Sequence, residues 1–144
     1  MTNIEATVLV VMMVVSLMAA LTGCAKVATE LSGPITITDG DTVRSGNERI
    51  RLLGIDAPEL PGHCRKGRHC APGDPYASKR ELQRLVNTGG RVTIERHGKD
   101  RYGRTLAWVF VGGENMSCHQ LRTGNAIYKP EWDRDGVAGR CAGR

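Results

Sequence analysis

Glu48-Arg49-Ile50-Arg51-Leu52-Leu53-Gly54-Ile55-Asp56-Ala57-Pro58-Glu59 is the stretch on which the reading of this chain turns. Its first half alternates: Ile50 and Leu52 fall on one face of an extended segment, Arg49 and Arg51 on the other. A strand over Glu48 to Leu53 therefore buries an apolar face and presents Arg51 on the opposite side. Its second half leaves the strand at Gly54 and puts Asp56 and Glu59 into a Pro-containing loop.

Outward from there, Ile35 to Thr38 reads as a strand and Asp39-Gly40 as a turn. Thr42 to Arg44 starts a return strand, and Ser45-Gly46-Asn47 forms a second turn. His63 to Pro75 is dense in Gly, Pro, Cys and charge, which predicts a constrained loop. Tyr76 to Val86 has helical apolar spacing and stops at Gly89-Gly90. Val92 to Arg96 and Thr105 to Val111 read as strands, Glu114 to Arg122 as a helix ending before Gly124, and Ala126 to Tyr128 as a strand closing the sheet. No internal repeat interrupts this order. The expected class is mainly β with two or three helices, a small barrel decorated by helices.

Three segments concentrate polar groups: Asp39-Gly40-Asp41-Thr42, Arg51 to Glu59, and Asp100-Arg101-Tyr102-Gly103-Arg104. Each alone is ordinary turn chemistry. Asp39 and Asp41 begin like an EF-hand loop, but that loop needs Gly at its sixth position and Glu at its twelfth. Arg44 and Ile50 stand there, so that calcium motif is excluded. In this order and spacing, the three segments resemble the staphylococcal nuclease family over about Ile35 to Tyr128. The resemblance implies a five-stranded OB-fold barrel with packed helices and calcium-dependent hydrolysis of phosphodiesters in DNA and RNA.

Carried onto this sequence, the resemblance makes Asp41 and Asp56 the carboxylates that hold Ca2+ and Ala57 the backbone-carbonyl ligand. The best-studied members have threonine at that last position, so its hydroxyl is missing here. It makes Asp39 a nearby acid shaping the site and Glu59 the general base. Arg51 and Arg104 become the phosphate-binding arginines, and Tyr102 and Tyr128 neighbours of the nucleotide. The chemistry is coherent: a hard cation takes oxygen ligands, a carboxylate accepts a proton from water, and guanidinium forks match phosphoryl oxygens. Better-known members also continue into a final helix, whereas Lys129 to Arg144 is short, polar and Gly-rich.

Bulk properties agree with a polyanion partner. The formal net charge is +5 with a pI near 9.2, which draws nucleic acid in. Two Trp, three Tyr and one Phe are few for a protein that works by stacking bases, so phosphate recognition is favoured. Two other functions fit parts of the sequence. One is an OB-fold module that binds nucleic acid without cutting, and the other is a structural envelope lipoprotein.

The 144 residues make one domain. Ala6 to Leu21 is an apolar run of about 16 residues, between a signal segment and a full span. Leu21-Thr22-Gly23-Cys24 resembles a lipobox, so residues 1–24 read as a cleaved leader with Cys24 lipidated, or as an uncleaved membrane anchor. Residues 25–34 read as a linker and residues 35–144 as the nuclease-like domain. The expected protein is exported, membrane-attached and monomeric, with DNA or RNA as substrate and no obligate protein partner. Setting Cys24 aside, Cys64, Cys70, Cys118 and Cys141 allow three disulfide connectivities. Cys64 with Cys70 closes a short loop and Cys118 with Cys141 ties down the tail, which is the favoured pairing. A zinc knuckle from His63, Cys64, His69 and Cys70 is the competing reading.

Overall fold

The computed structural model describes residues 27–143. The leader and the lipidation expectation at Cys24 lie outside them. The strands are β1 (Thr29–Glu30), β2 (Ile35–Ile37), β3 (Thr42–Ser45), β4 (Glu48–Leu52), β5 (Ile55–Asp56), β6 (Val92–Lys99), β7 (Thr105–Val111), β8 (Glu114–Asn115) and β9 (Ile127–Tyr128). The helices are α1 (Pro75–Val86), α2 (Met116–Arg122) and the short α3 (Gly139–Ala142), with a 3-10 turn at Pro130–Trp132. Among the described residues, no helix is long and apolar enough to cross a membrane.

The expected five-stranded closed barrel is not what forms. Seven strands make one sheet in the order β1-β6-β7-β4-β3-β2, with β8 on β7, and β5 pairs β9 in a separate two-stranded sheet. The sheet has two ends, β1 and β2. Both are short, two and three residues, and the stretch joining them adds little to a ladder. Gly33 turns with φ 94°, and Pro34 has no N–H to give a ladder. Ala126 to Tyr128, expected to close the sheet, instead yields β9, whose Tyr128 and Ile127 pair with Ile55 and Asp56.

The β3–β4 hairpin sets Arg51 opposite Thr42. Its two-residue loop starts at Gly46 with φ 54°, a left-handed value that glycine adopts without a Cβ penalty. Parallel pairing to β7 places Arg51 beside Leu106. Ile50 and Leu52 join Val43, Ile94, Val109, Leu82 and Met116 in the main core. Burying side chains of this size stabilises by about 1.5–3 kcal/mol each.

α1 begins where Asp74 accepts a hydrogen bond from Tyr76 N. The expected helix over Glu114 to Arg122 starts two residues late. Glu114 and Asn115 pair with Val111 and Phe110, and Asn115 then caps α2 by accepting from Cys118 N. Disulfides join Cys64 to Cys70 and Cys118 to Cys141, the favoured pairing. These four thiols being spent in cross-links, the zinc knuckle is excluded. The second bond fastens α3 against α2.

Candidate active site

Gly40 decides how the first acidic turn sits. A Cβ there would collide with Ser78 Oγ and Ala57 Cβ. Buried Gln120 on α2 donates to the Gly40 carbonyl at 2.7 Å and to Ser78 Oγ on α1 at 2.9 Å. Two helices thus hold the turn that carries Asp39 and Asp41. Sequence reading missed Ser78 and Gln120, because a polar residue inside an apolar helical face carries no sign of what it touches.

Asp41 and Asp56 are almost fully buried and share one cation. Arg51, 8 % exposed, pairs with Asp41 Oδ1 and donates to Asp56 Oδ1 at 3.2 Å and to the Ile55 carbonyl at 3.2 Å. The other Asp41 oxygen accepts from Ala57 N at 2.8 Å, and Thr42 Oγ1 donates to Oδ1 at 3.1 Å. Asp39 accepts from Asp41 N at 3.1 Å. Burial raises the Asp39 carboxyl above its ordinary range, against the pull of Arg51. Burial, with Arg104 nearby, pushes the Arg51 guanidinium down to about 10, opposed by Asp56 and Asp39, so it keeps its charge at neutral pH.

Glu59 joins the same cluster through Arg68, which donates to Asp56 Oδ1 at 2.9 Å and to Glu59 Oε1 at 2.8 Å. Across the cleft, Asp100 fixes Arg104 by accepting from its Nε at 2.8 Å and its backbone N at 3.0 Å. Burial pushes the Asp100 carboxyl up, but these bonds outweigh it and hold it below its usual value. The Tyr102 ring lies under the guanidinium groups of Arg65, Arg101 and Arg104 at 5.0, 5.0 and 5.6 Å. A hydrogen bond from Arg65 and a second from Arg101 lower the Tyr102 hydroxyl pKa.

Asp39, Asp41, Arg51, Glu59, Tyr102 and Arg104 line one open cleft of about 970 Å³, joined by Arg49, Arg65, Lys66, Arg68, Arg101 and Arg134. Asp56 and Ala57 sit behind it, bonded to Arg51 and Asp41. Tyr128 stands apart from this lining: its hydroxyl donates to Asp133 Oδ2 at 3.0 Å. Trp132, which the sequence did not single out, lies 5.3 Å from the Arg51 guanidinium and walls that side.

The donor set of Asp41, Asp56 and the Ala57 carbonyl is all oxygen and carries two negative charges, which suits a hard divalent cation. Another group, Glu95, His97 and Asp135, brings its ligand atoms within 4.8 Å of one another. There, however, Glu95 and Asp135 take opposite ring nitrogens of His97, at 2.9 and 3.5 Å. Those nitrogens face away from each other, so the trio is arranged as a bridged histidine.

The family profile of staphylococcal nuclease homologues matches residues 49–137. The chain belongs to the staphylococcal nuclease family. This nuclease homologue is similar to the thermonuclease of Staphylococcus intermedius, 36% identical over 100 residues, covering 65% of this chain and 56% of that protein. It is similar to the succinoglycan biosynthesis protein ExoI of Rhizobium meliloti (strain 1021), 31% identical over 114 residues, covering 77% of this chain and 56% of the other. It also resembles the SPbeta prophage-derived endonuclease YokF of Bacillus subtilis (strain 168), 37% identical over 106 residues, covering 64% of this chain and 33% of that one. The staphylococcal nuclease homologue thus spans about half the length of the first two of these relatives.

Proposed function

We propose that this chain is a Ca2+-dependent phosphodiesterase that cuts DNA or RNA. The observation that carries the reading is the meeting of Asp41, Asp56, Glu59 and Arg51 at the wall of a cleft whose opposite side holds Arg104. When bound by Asp41, Asp56 and the Ala57 carbonyl, Ca2+ would supply Lewis-acid charge next to the scissile phosphate. Glu59 accepts the proton of the attacking water. Arg51 turns donors from the aspartates to the phosphoryl oxygens, and Arg104, held by Asp100, grips the same group from the other side. Donors aimed at charge that develops in the transition state are worth about 3–4 kcal/mol each. Asp39 keeps the Asp41 backbone in place, and Tyr102 offers a face to the nucleotide.

The test is cleavage of denatured DNA with Ca2+ or chelator, using wild type and Glu59→Gln. Chelator should abolish cleavage, and Glu59→Gln should lower kcat by about 10²–10⁴-fold with an unchanged circular dichroism spectrum. Full activity in chelator, or in the variant, refutes the assignment.

Residues 1–24 are proposed to direct export, with Cys24 as the lipid-bearing residue and residues 35–144 as the catalytic unit. Two disulfides in a small domain suit an oxidising compartment.

A further inference from the structure

Arg68 has no part in the reaction outlined above, yet it touches two of that reaction's acids. It sits in the loop closed by the Cys64–Cys70 disulfide. Inside that loop Arg68 N donates to the Arg65 carbonyl at 3.0 Å, and Gly67 takes φ 80°. A four-residue turn with positive φ at its third position needs glycine there. The turn doubles the chain back so that Arg68 points inward. Its guanidinium then spans the acids, 2.9 Å from Asp56 Oδ1 and 2.8 Å from Glu59 Oε1.

We propose that Arg68 is a built-in competitor for the divalent cation, held over Asp56 and Glu59 by the disulfide-closed loop. This rests on the metal-dependent reading of the site. A guanidinium keeps its charge at every working pH, so it neutralises these carboxylates as a cation would. Asp56 Oδ1 already accepts from Arg51, and a second guanidinium on the same atom leaves it little capacity for a metal. Metal entry therefore requires Arg68 to swing out. Its side chain is 37% exposed while that of Asp56 is 4% exposed, so the arginine has open solvent to move into and the aspartate does not. The cross-link matters because a short closed loop keeps the competitor at high effective concentration. Opening that loop should dilute Arg68 and favour the metal.

The experiment is a calorimetric Ca2+ titration of the full chain as wild type, Arg68→Gln, Cys64→Ser/Cys70→Ser, the triple variant, and Asp41→Asn, which lies off the Arg68 contacts. Arg68→Gln should bind Ca2+ about fivefold more tightly, the scale of a half-exposed ion pair. The cysteine pair should move affinity the same way, and the triple variant should add nothing to Arg68→Gln. Equal or weaker affinity in Arg68→Gln overturns the competitor, even where Ca2+ binding is strong in wild type and lost in Asp41→Asn. Absence of Ca2+ binding in wild type and Arg68→Gln alike overturns the metal reading, and the competitor with it. Arg68→Gln alters an exposed side chain, so it decides the matter even if the cysteine variant fails to fold.

Discussion

Gly40 shows how little space separates the first acidic turn from the helices behind it. Gly40→Ala drives a methyl into Ser78 and Ala57, where overpacking costs about 1–3 kcal/mol. The turn must move, and Asp39 and Asp41 with it, so the variant should lose both melting temperature and cleavage. A melting temperature equal to wild type would show that the contact is not as tight as drawn. The acids themselves were legible in the sequence, since charge on a strand's polar face and in Pro-bearing loops stands out against an apolar pattern. Their support was not legible. Gln120 reads as one more polar residue on a helix, and its bonds to Gly40 and Ser78 span sequence separations of 80 and 42, which no local pattern encodes. Tyr128, expected beside the nucleotide, is bonded to Asp133 and lies outside the cleft lining.

At the level of strands, Glu48 of β4 acts as a clamp on two others of the sheet, β6 and β7. It accepts from Arg96 of β6 at 2.8 and 2.7 Å and from Thr105 of β7 at 2.8 Å. The Arg96 hydrogen bonds lower the Glu48 carboxyl pKa from its ordinary 4.5, with burial opposing and Thr105 assisting. A carboxyl lowered by folding contributes stability above its unfolded pKa and loses it as pH falls through the lowered folded value. Glu48→Gln should therefore cost about 1 kcal/mol near pH 7, and the deficit should shrink as pH drops below 4.5. Urea unfolding across that range checks it, and a deficit that persists or grows in acid would rule the clamp out. β4 was readable because apolar and charged residues alternate along it, and β7 because it is an apolar run bounded by turn residues. β1 and β8 are two residues each, too short to show any period. Closure of the sheet depends on whether its two end strands meet, and β1 and β2, two and three residues long, do not pair.

Over the molecule as a whole, charge is gathered where the reaction is proposed to occur. Eight basic and five acidic side chains line the cleft, in a protein whose formal net charge is +5. A polyanion is drawn in by that field, while the deepest acids, Asp41 and Asp56, are already paired with arginines. If Cys24 bears the lipid, Cys24→Ser should leave the membrane fraction and stop incorporating labelled palmitate. Label retained in that variant would exclude the assignment. The pairing of Thr29 and Glu30 with β6 then sets the length of the leash. From Cys24 to Thr29 the chain reaches about 17 Å when fully drawn out. A catalytic body tethered that closely would graze the headgroups, working on strands that arrive along the bilayer and out of step with those adrift in the bulk.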